Sequence, residues 1–432
     1  MDHLLELVLG PVAHGGHCVA RHEGRVVFVR HGIPGERVKV RLMDHDDDAR
    51  FWRGDVAEVL DPSPDRVDHF WPEADALRAS ARNQLPVGGA EWGHMNLSTQ
   101  RKLKGLVFAE QLKRLAGMER SVEVEAVPDL TTDGLAWRSR VAFSVTANGR
   151  LAMHPYRSND LISVQAMPLA VQAINDLKLW QQDFSGIERV EVAAPSSGDP
   201  VLILLFPRDG VPTTNVHRTA RKLVGGMSVA IVGPQGAVER VRGRTWVREV
   251  VENNSFRVSG PGFWQIHTSA PDVLTTAVLE SLDPQLDEHL ADLYAGAGLF
   301  SAALADRVGP GGTVLSMEAS STASRDARKN LHHYPGVDVQ QGKVERLLSA
   351  GREDITGVVL DPPRVGAGRV VIERITGSLA RRVVYVSCDP SSFARDVGYF
   401  GAAGWDLKTV RVFDLYPHTH HMESVAILEP AS

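Results

Sequence analysis

From about residue 262 onward, short apolar runs alternate with stretches whose apolar residues recur at three- and four-residue spacing. HLADLYA, TVLSMEA, VDVQQG, GVVLDPP and RRVVYVSC read as strands. PDVLTTAVLESL, GLFSAALADRV, TASRDARKNLHHY, VIERITGSLA and SFARDVGYFGAAG read as helices. Strand–helix alternation predicts a doubly wound α/β sheet. Two strand patterns in succession, WDLKTVRVFDLYP and ESVAILEP, predict an antiparallel hairpin at its end.

Upstream the period changes. Residues 122–261 predict an α+β domain with a binding or positioning role. WRSRVAFSVTANGRLAMHPYR reads as a hairpin turning at Asn148-Gly149, and LAVQAINDLKLWQQDF as a helix. RVEVAAP, VLILLFP, MSVAIV, TWVREVVE and SFRVSG read as strands. Residues 62–121 read as a linker and a helix, loop-like to residue 95 and helical from about Ser98 to Gly117, with Ser98 or Thr99 as cap. Leu103, Leu106, Val107, Leu112 and Leu115 form the apolar face of this helix. Arg101, Lys102, Lys104, Lys113 and Arg114 form a basic face, either turned to RNA or merely solvated. In residues 1–61, apolar runs occur at Leu4–Leu9, Val26–Val29, Val38–Leu42, Phe51–Trp52 and Val56–Leu60. Turn signals at Gly15-Gly16, Glu23-Gly24, Ile33-Pro34-Gly35 and Asp44–Asp48 separate them. This spacing predicts a five-stranded OB-like barrel, a shape that often binds oligonucleotides. Arg21, Arg25, Arg30, His31, Arg37 and Arg53 are candidate phosphate contacts, the alternative being surface solvation.

Composition changes this picture little. Apolar residues make up 43% and charged residues 23%, as in ordinary globular domains. No apolar run approaches a membrane span, and the N-terminus lacks the basic region and cleavage site of a secretory signal. The two cysteines, Cys18 and Cys388, exclude a disulfide framework and imply a reducing, cytoplasmic setting. The net charge of −6 does not advertise nucleic-acid binding, for which a local basic patch would suffice.

Chemistry concentrates at the C-terminal ends of the predicted strands. In DLYAGAGLF, residues 292–300, Gly296 and Gly298 let the backbone approach a cofactor at a helix N-terminus. One helix and one strand later Glu318 ends TVLSME, a position suited to a pair of ribose hydroxyls. The third glycine of a dinucleotide fingerprint is missing, which favours S-adenosylmethionine over a nicotinamide cofactor. LDPPRVGAG presents Asp361 beside two prolines that stiffen the backbone. In SCDPSSFARD, Cys388 follows a buried strand and precedes a helix beginning near Phe393. The helix N-terminus favours a thiolate, although a lone cysteine is usually a small buried hydrophobe. GFWQIH places Phe263 and Gln265 before the first helix of the sheet domain, and PHTHHMESVAIL places Glu423 before the last strand.

DPPR, SC-D-P and H-x-x-H-x-E, in that order, resemble the RNA uracil-5 methyltransferase family. The first 61 residues resemble its RNA-binding TRAM domain through VVFV, PGE and PSPDR. The resemblance implies a class I methyltransferase domain over residues 262–432, with S-adenosyl-L-methionine as cofactor and transfer or ribosomal RNA as substrate. It implies Cys388 as nucleophile toward carbon 6 of uracil and Glu423 as the base that removes the carbon-5 proton. It places Gln265, Tyr294, Gly296, Glu318 and Asp361 at the cofactor, with Gln265 and Asp361 also reaching the base. Phe263 would stack on a flipped nucleotide, the alternative being a core aromatic.

Departures from the family pattern carry their own expectations. Many members hold an iron–sulfur cluster on cysteines that ALRASARNQLPVGGAEWGHMNL lacks, so no iron–sulfur cluster is expected. Gln265-Ile266-His267 replaces Gln-x-Asn and leaves His267 without an assigned role, and Gly342-Lys343 replaces a more usual polar pair near the adenine. His418, His420 and His421 are read as loop hydrogen-bonding groups rather than a metal site. A monomer is expected. The competing readings are an RNA cytosine-5 methyltransferase, which usually has a second cysteine where DPPR has none, and a catalytically idle RNA-binding factor.

Overall fold

The computed structural model describes residues 4–44, 46, 48–128, 131–348 and 354–431. Part of the Asp44–Asp48 turn, residues 45 and 47, lies outside the described residues.

The first five strands form one sheet: Leu4–Val8, Cys18–His22, Arg25–Arg30, Arg37–Asp44 and Phe51–Asp61. Its two edges meet where Gly10 N–H donates to Val19 O at 2.8 Å and Val19 N–H donates to Pro11 O at 2.9 Å. These bonds close the sheet into the expected barrel around Val27, Val29, Val38 and Val40, all fully buried. The strand count matches the reading, but the strands differ. Cys18–His22 carries two charged or polar ends and was missed, and the runs at Phe51 and Val56 are one strand. Gly54 joins them because a Cβ there would meet Arg41 O at 2.5 Å. Three of the proposed phosphate contacts are engaged elsewhere. Arg30 is buried on Asp55, His31 is buried, and Arg37 donates to Asp61 and Glu6.

The stretch read as a loop contains a short helix, Ala76–Ala81, capped by Asp75. The next helix spans Leu97–Gln111 and is capped by Asn96, not Ser98 or Thr99, through a 2.9 Å bond from Thr99 N–H. It continues as a wider π turn, Leu112–Ala116, and ends as expected at Gly117 with φ of 67°. Its buried face is Gln100, Leu103, Lys104, Val107, Phe108 and Gln111, whereas Leu106 and Leu115 are exposed. Lys104, assigned to the basic outer face, instead reaches Asp414 at 2.5 Å in the interior.

A seven-stranded mixed sheet follows, from Arg140–Val145 to Val238–Arg242, with the hairpin turning at Asn148-Gly149 as the sequence predicts. LAVQAINDLKLWQQDF is not one helix but two single turns, Gln172–Asn175 and Leu179–Gln181. Lys178 at φ of 45° breaks it, and the Asn175 amide bonds the carbonyls of Met167 and Ala170. The helix Thr213–Lys222 and the strand Val238–Arg242 were not foreseen.

The last sheet has eight strands, ordered Val337–Gln341, Thr313–Glu318, His289–Leu293, Gly357–Leu360, Arg382–Ser387, Glu423–Pro430, Trp405–Phe413 and Val124–Glu125. The first five are parallel, and Glu423–Pro430 is antiparallel to both neighbours, as the paired terminal strands predict. Central strands such as Val358–Leu360 and Val383–Val386 are apolar throughout because helices such as Ala270–Leu282 and Pro390–Ala402 cover the sheet. Ligands of such sheets bind at the carboxyl ends of the strands, near Leu293, Glu318, Leu360 and Ser387. Among the described residues no helix is long and apolar enough to cross a membrane.

Candidate active site

The cofactor cradle begins where His289–Leu293 leaves the sheet. Three of the next five residues take left-handed backbone: Tyr294 at 65°, Gly296 at 57° and Gly298 at 93°. Tyr294 pays the steric cost of a side chain there, as residues at functional turns often do. A Cβ at Gly298 would strike Leu331 at 2.8 Å, while at Gly296 it would meet nothing within 4 Å. Gly298 is thus needed for packing, and Gly296 opens onto the cavity. Across the turn Glu318 accepts from Gly296 N–H at 2.9 Å and from Ser320 N–H at 2.5 Å, which fixes its carboxylate. Asp292, the acid before the glycines, is completely buried beneath the cradle and accepts from Ser301 Oγ at 2.6 Å. Burial pushes its pKa up to about 7.

The thiol and the second carboxylate come from neighbouring antiparallel strands. Ser387 pairs with Ser424 at the end of this ladder, and Cys388 and Glu423 are each one residue from that pair. Glu423 is 3% exposed, Cys388 is half-buried, and Tyr416 Oη donates to Glu423 Oε2 at 3.0 Å. Asp361, at the end of Gly357–Leu360, donates its N–H to Leu293 O at 3.2 Å, which ties it to the cradle. Burial, followed by repulsion from Asp361, raises the Glu423 pKa well above the ordinary carboxylate range. Burial and Asp292 raise Asp361 to about 7. The helix N-terminus after Cys388 does not win: burial, then Glu423 and Asp361, push the thiol up to about 12. Burial and the two acids thus oppose the thiolate that the helix N-terminus favours.

One cavity of about 1400 Å³ collects the nominated residues. Tyr294, Gly296, Glu318 and Asp361 line one part of it, and Phe263, Gln265, Cys388 and Glu423 another. Phe263 is 67% exposed, so it is no core aromatic. Asp292 is outside the lining. Sequence reasoning missed Arg138, Arg364, Tyr416 and Glu345, which also face the cavity. Arg364 and Tyr416 lie within or beside the quoted motifs, whereas Arg138 reaches the site from the hairpin sheet and carries no local signal.

His267 is 1% exposed, stacks on Trp137 with ring centroids 5.5 Å apart, and accepts from Ser269 N–H at 3.0 Å. It shapes the chain entering the helix Ala270–Leu282. His418 is held by protein groups. Its backbone N–H donates to Gln100 Oε1 at 2.7 Å, and its ring nitrogens lie 3.2 Å from Gln100 Nε2 and 2.8 Å from Asp133 O. Among the described residues no group of three His, Cys, Asp or Glu side chains is arranged to hold a metal ion.

The tRNA (uracil-5-)-methyltransferase family model matches residues 241–431. The chain is 43% identical to an uncharacterized RNA methyltransferase of Streptomyces coelicolor, over 99% of this chain and 93% of the relative. It is 36% identical to an uncharacterized RNA methyltransferase of Bifidobacterium longum, over 96% and 94%. Its fold is similar to that of Pyrococcus abyssi tRNA (uracil-54, C5)-methyltransferase crystallised with S-adenosyl-L-homocysteine. That likeness has a TM-score of 0.72 at 21% identity and covers 98% of this chain and 99% of the other.

Proposed function

We infer the chemistry of this site from the premise that the chain belongs to the RNA uracil-5 methyltransferase family and is an S-adenosylmethionine-dependent RNA methyltransferase. We propose that it methylates carbon 5 of one uridine in transfer or ribosomal RNA through a covalent Cys388 adduct. The observation that carries this reading is that Cys388, Glu423 and Asp361 line one cavity, with both acids close enough to act on the thiol.

The residues present fit the cofactor. Gly296 leaves its approach open, and Glu318, fixed by two N–H groups, offers a carboxylate to a ribose diol. Asp361, Tyr294 and Gln265 line the same cavity and offer polar groups to the cofactor. When bound, S-adenosylmethionine supplies the electrophilic methyl group.

The protein's own residues do the rest. Phe263, exposed at the cavity, offers a stacking face to a uridine turned out of its strand, and Gln265 and Asp361 orient the base. The Cys388 thiol gives its proton to Asp361, which keeps Glu423 free as a base, and its sulfur bonds to carbon 6. The resulting enolate makes carbon 5 nucleophilic. After carbon 5 has taken the methyl group, Glu423 removes its proton and the sulfur leaves, restoring the double bond. A buried carboxylate with a raised pKa is a stronger base than a solvated one, which suits this role. In this reading residues 1–61 and 122–261 hold the RNA, and residues 262–432 carry the chemistry.

The test uses labelled cofactor and unmodified total RNA, followed by digestion and identification of the methylated nucleoside. 5-Methyluridine is expected. 5-Methylcytidine or a base N-methyl product would overturn the proposal.

A further inference from the structure

The loop between the first two barrel strands, Leu4–Val8 and Cys18–His22, reaches across to the catalytic segments. Gly15 and Gly16 both take left-handed backbone, at 90° and 81°. A Cβ on Gly16 would lie 2.6 Å from the Cβ of His420, so only glycine lets the loop come this close. The loop is fastened there by Trp92 Nε1–H, which donates to Gly16 O at 3.1 Å. At its tip His14 Nε2 lies 3.1 Å from Asp389 Oδ2. The other oxygen of Asp389 accepts from Ser392 N–H at 2.8 Å and caps the helix Pro390–Ala402. Asp389 is the residue directly after Cys388, so these two bonds fix the peptide that carries the thiol. Behind the thiol is a small cavity of about 130 Å³ walled by His14, Gly16, Trp92, Arg364, His420 and Cys388.

We propose that His14 is a positioning residue for the Cys388 thiol, acting through Asp389, and that the barrel loop is thereby part of the catalytic pocket as well as of an RNA-binding module. The proposal rests on Cys388 being the nucleophile. His14 Nε2–H donates to a carboxylate that stays ionised: burial raises the Asp389 pKa, but the bonds from His14 and Ser392 hold it down to about 2. An imidazole with its proton on Nε2 makes this bond. A Gln side chain places an N–H donor the same number of bonds from Cα and should replace it.

The experiment compares the full-length chain with His14→Ala and His14→Gln. Alkylation by iodoacetamide, without RNA or cofactor, is followed at each cysteine by peptide mass spectrometry. Cys18 is 1% exposed and reports barrel unfolding. In His14→Ala, Cys388 alkylation should rise severalfold while Cys18 stays unreactive. With RNA, kcat should fall about tenfold, the scale of a misplaced reacting group, with KM for RNA within about twofold. His14→Gln should restore both readouts. Unchanged Cys388 reactivity and kcat, a rise in KM alone, or parallel exposure of Cys18 and Cys388 would each overturn the proposal. The alkylation result stands even if the methylated nucleoside proves not to be 5-methyluridine, so the two failures are distinguishable.

Discussion

Cys388 and Glu423 each lie one residue from the Ser387–Ser424 pair that ends their antiparallel ladder, and both line the same cavity. Their roles separate by mutation. Cys388→Ala should lower methyl transfer more than about a thousandfold, as loss of a covalent nucleophile does. Glu423→Gln should still form the adduct but fail to release it. A slowly migrating RNA–protein band on a denaturing gel, absent from Cys388→Ala, is the expected readout; robust turnover by Cys388→Ala would sink the covalent route.

Tyr416 sets the basicity of Glu423. Its phenol donates to the carboxylate at 3.0 Å and opposes the rise that burial and Asp361 impose. Tyr416→Phe removes the donor, so the Glu423 pKa moves further up. In the proposed mechanism the base form is the active one. Activity is lost as pH falls through that pKa, and the acid limb of the kcat profile should therefore move to higher pH in the variant. The two profiles should converge at the alkaline end. A parallel drop at every pH would mean that Tyr416 serves packing alone.

Lys104 and Asp414 form a buried ion pair, 0% and 2% exposed, and Lys104 also donates to Tyr416 O at 3.0 Å. Removing one partner strands a buried charge, at a cost of about 3–5 kcal/mol. Lys104→Met and Asp414→Leu should each destabilise by that order in urea unfolding. The double variant should be more stable than either single one, because no unpaired charge remains. Simple additivity of the two losses would show that the pair is not energetically coupled.

The same lysine shows what the sequence could and could not convey. The strand–helix alternation after residue 262 and the motif residues at strand ends were legible, since period and turn chemistry are local. The family resemblance nominated Cys388, Glu423, Asp361, Glu318 and Phe263, and all five line one cavity. The buried face of Leu97–Gln111, by contrast, includes Gln100, Lys104 and Gln111. Polar residues on a helix read as its outer face unless their partners are known, and the partners of Gln100 and Lys104 are His418 and Asp414, more than 300 residues away. Arg30 misled for the same reason, its charge being consumed by Asp55 across the barrel. A helix N-terminus beside the thiol is visible in sequence, whereas its burial and the two carboxylates that oppose ionisation arise only in the fold.

Asp292 makes a last prediction, about stability. It is fully buried, Ser301 donates to one oxygen, and its other oxygen has no hydrogen-bond partner. Burial raises its folded-state pKa from 3.8 to about 7. A group raised in this way contributes its full stability below the unfolded pKa and loses it as pH climbs through the folded one. Between about pH 4 and pH 7 the native protein therefore loses stability at this site, on the order of 4 kcal/mol at most, from about three units at 1.36 kcal/mol each. Asp292→Asn keeps an acceptor for Ser301 and cannot ionise. Its unfolding free energy minus that of the unaltered protein should rise from pH 4 to pH 7 and level off above. Urea melts at four pH values measure this difference, and a flat difference would mean that Asp292 ionises in the folded protein at the same pH as in the unfolded chain.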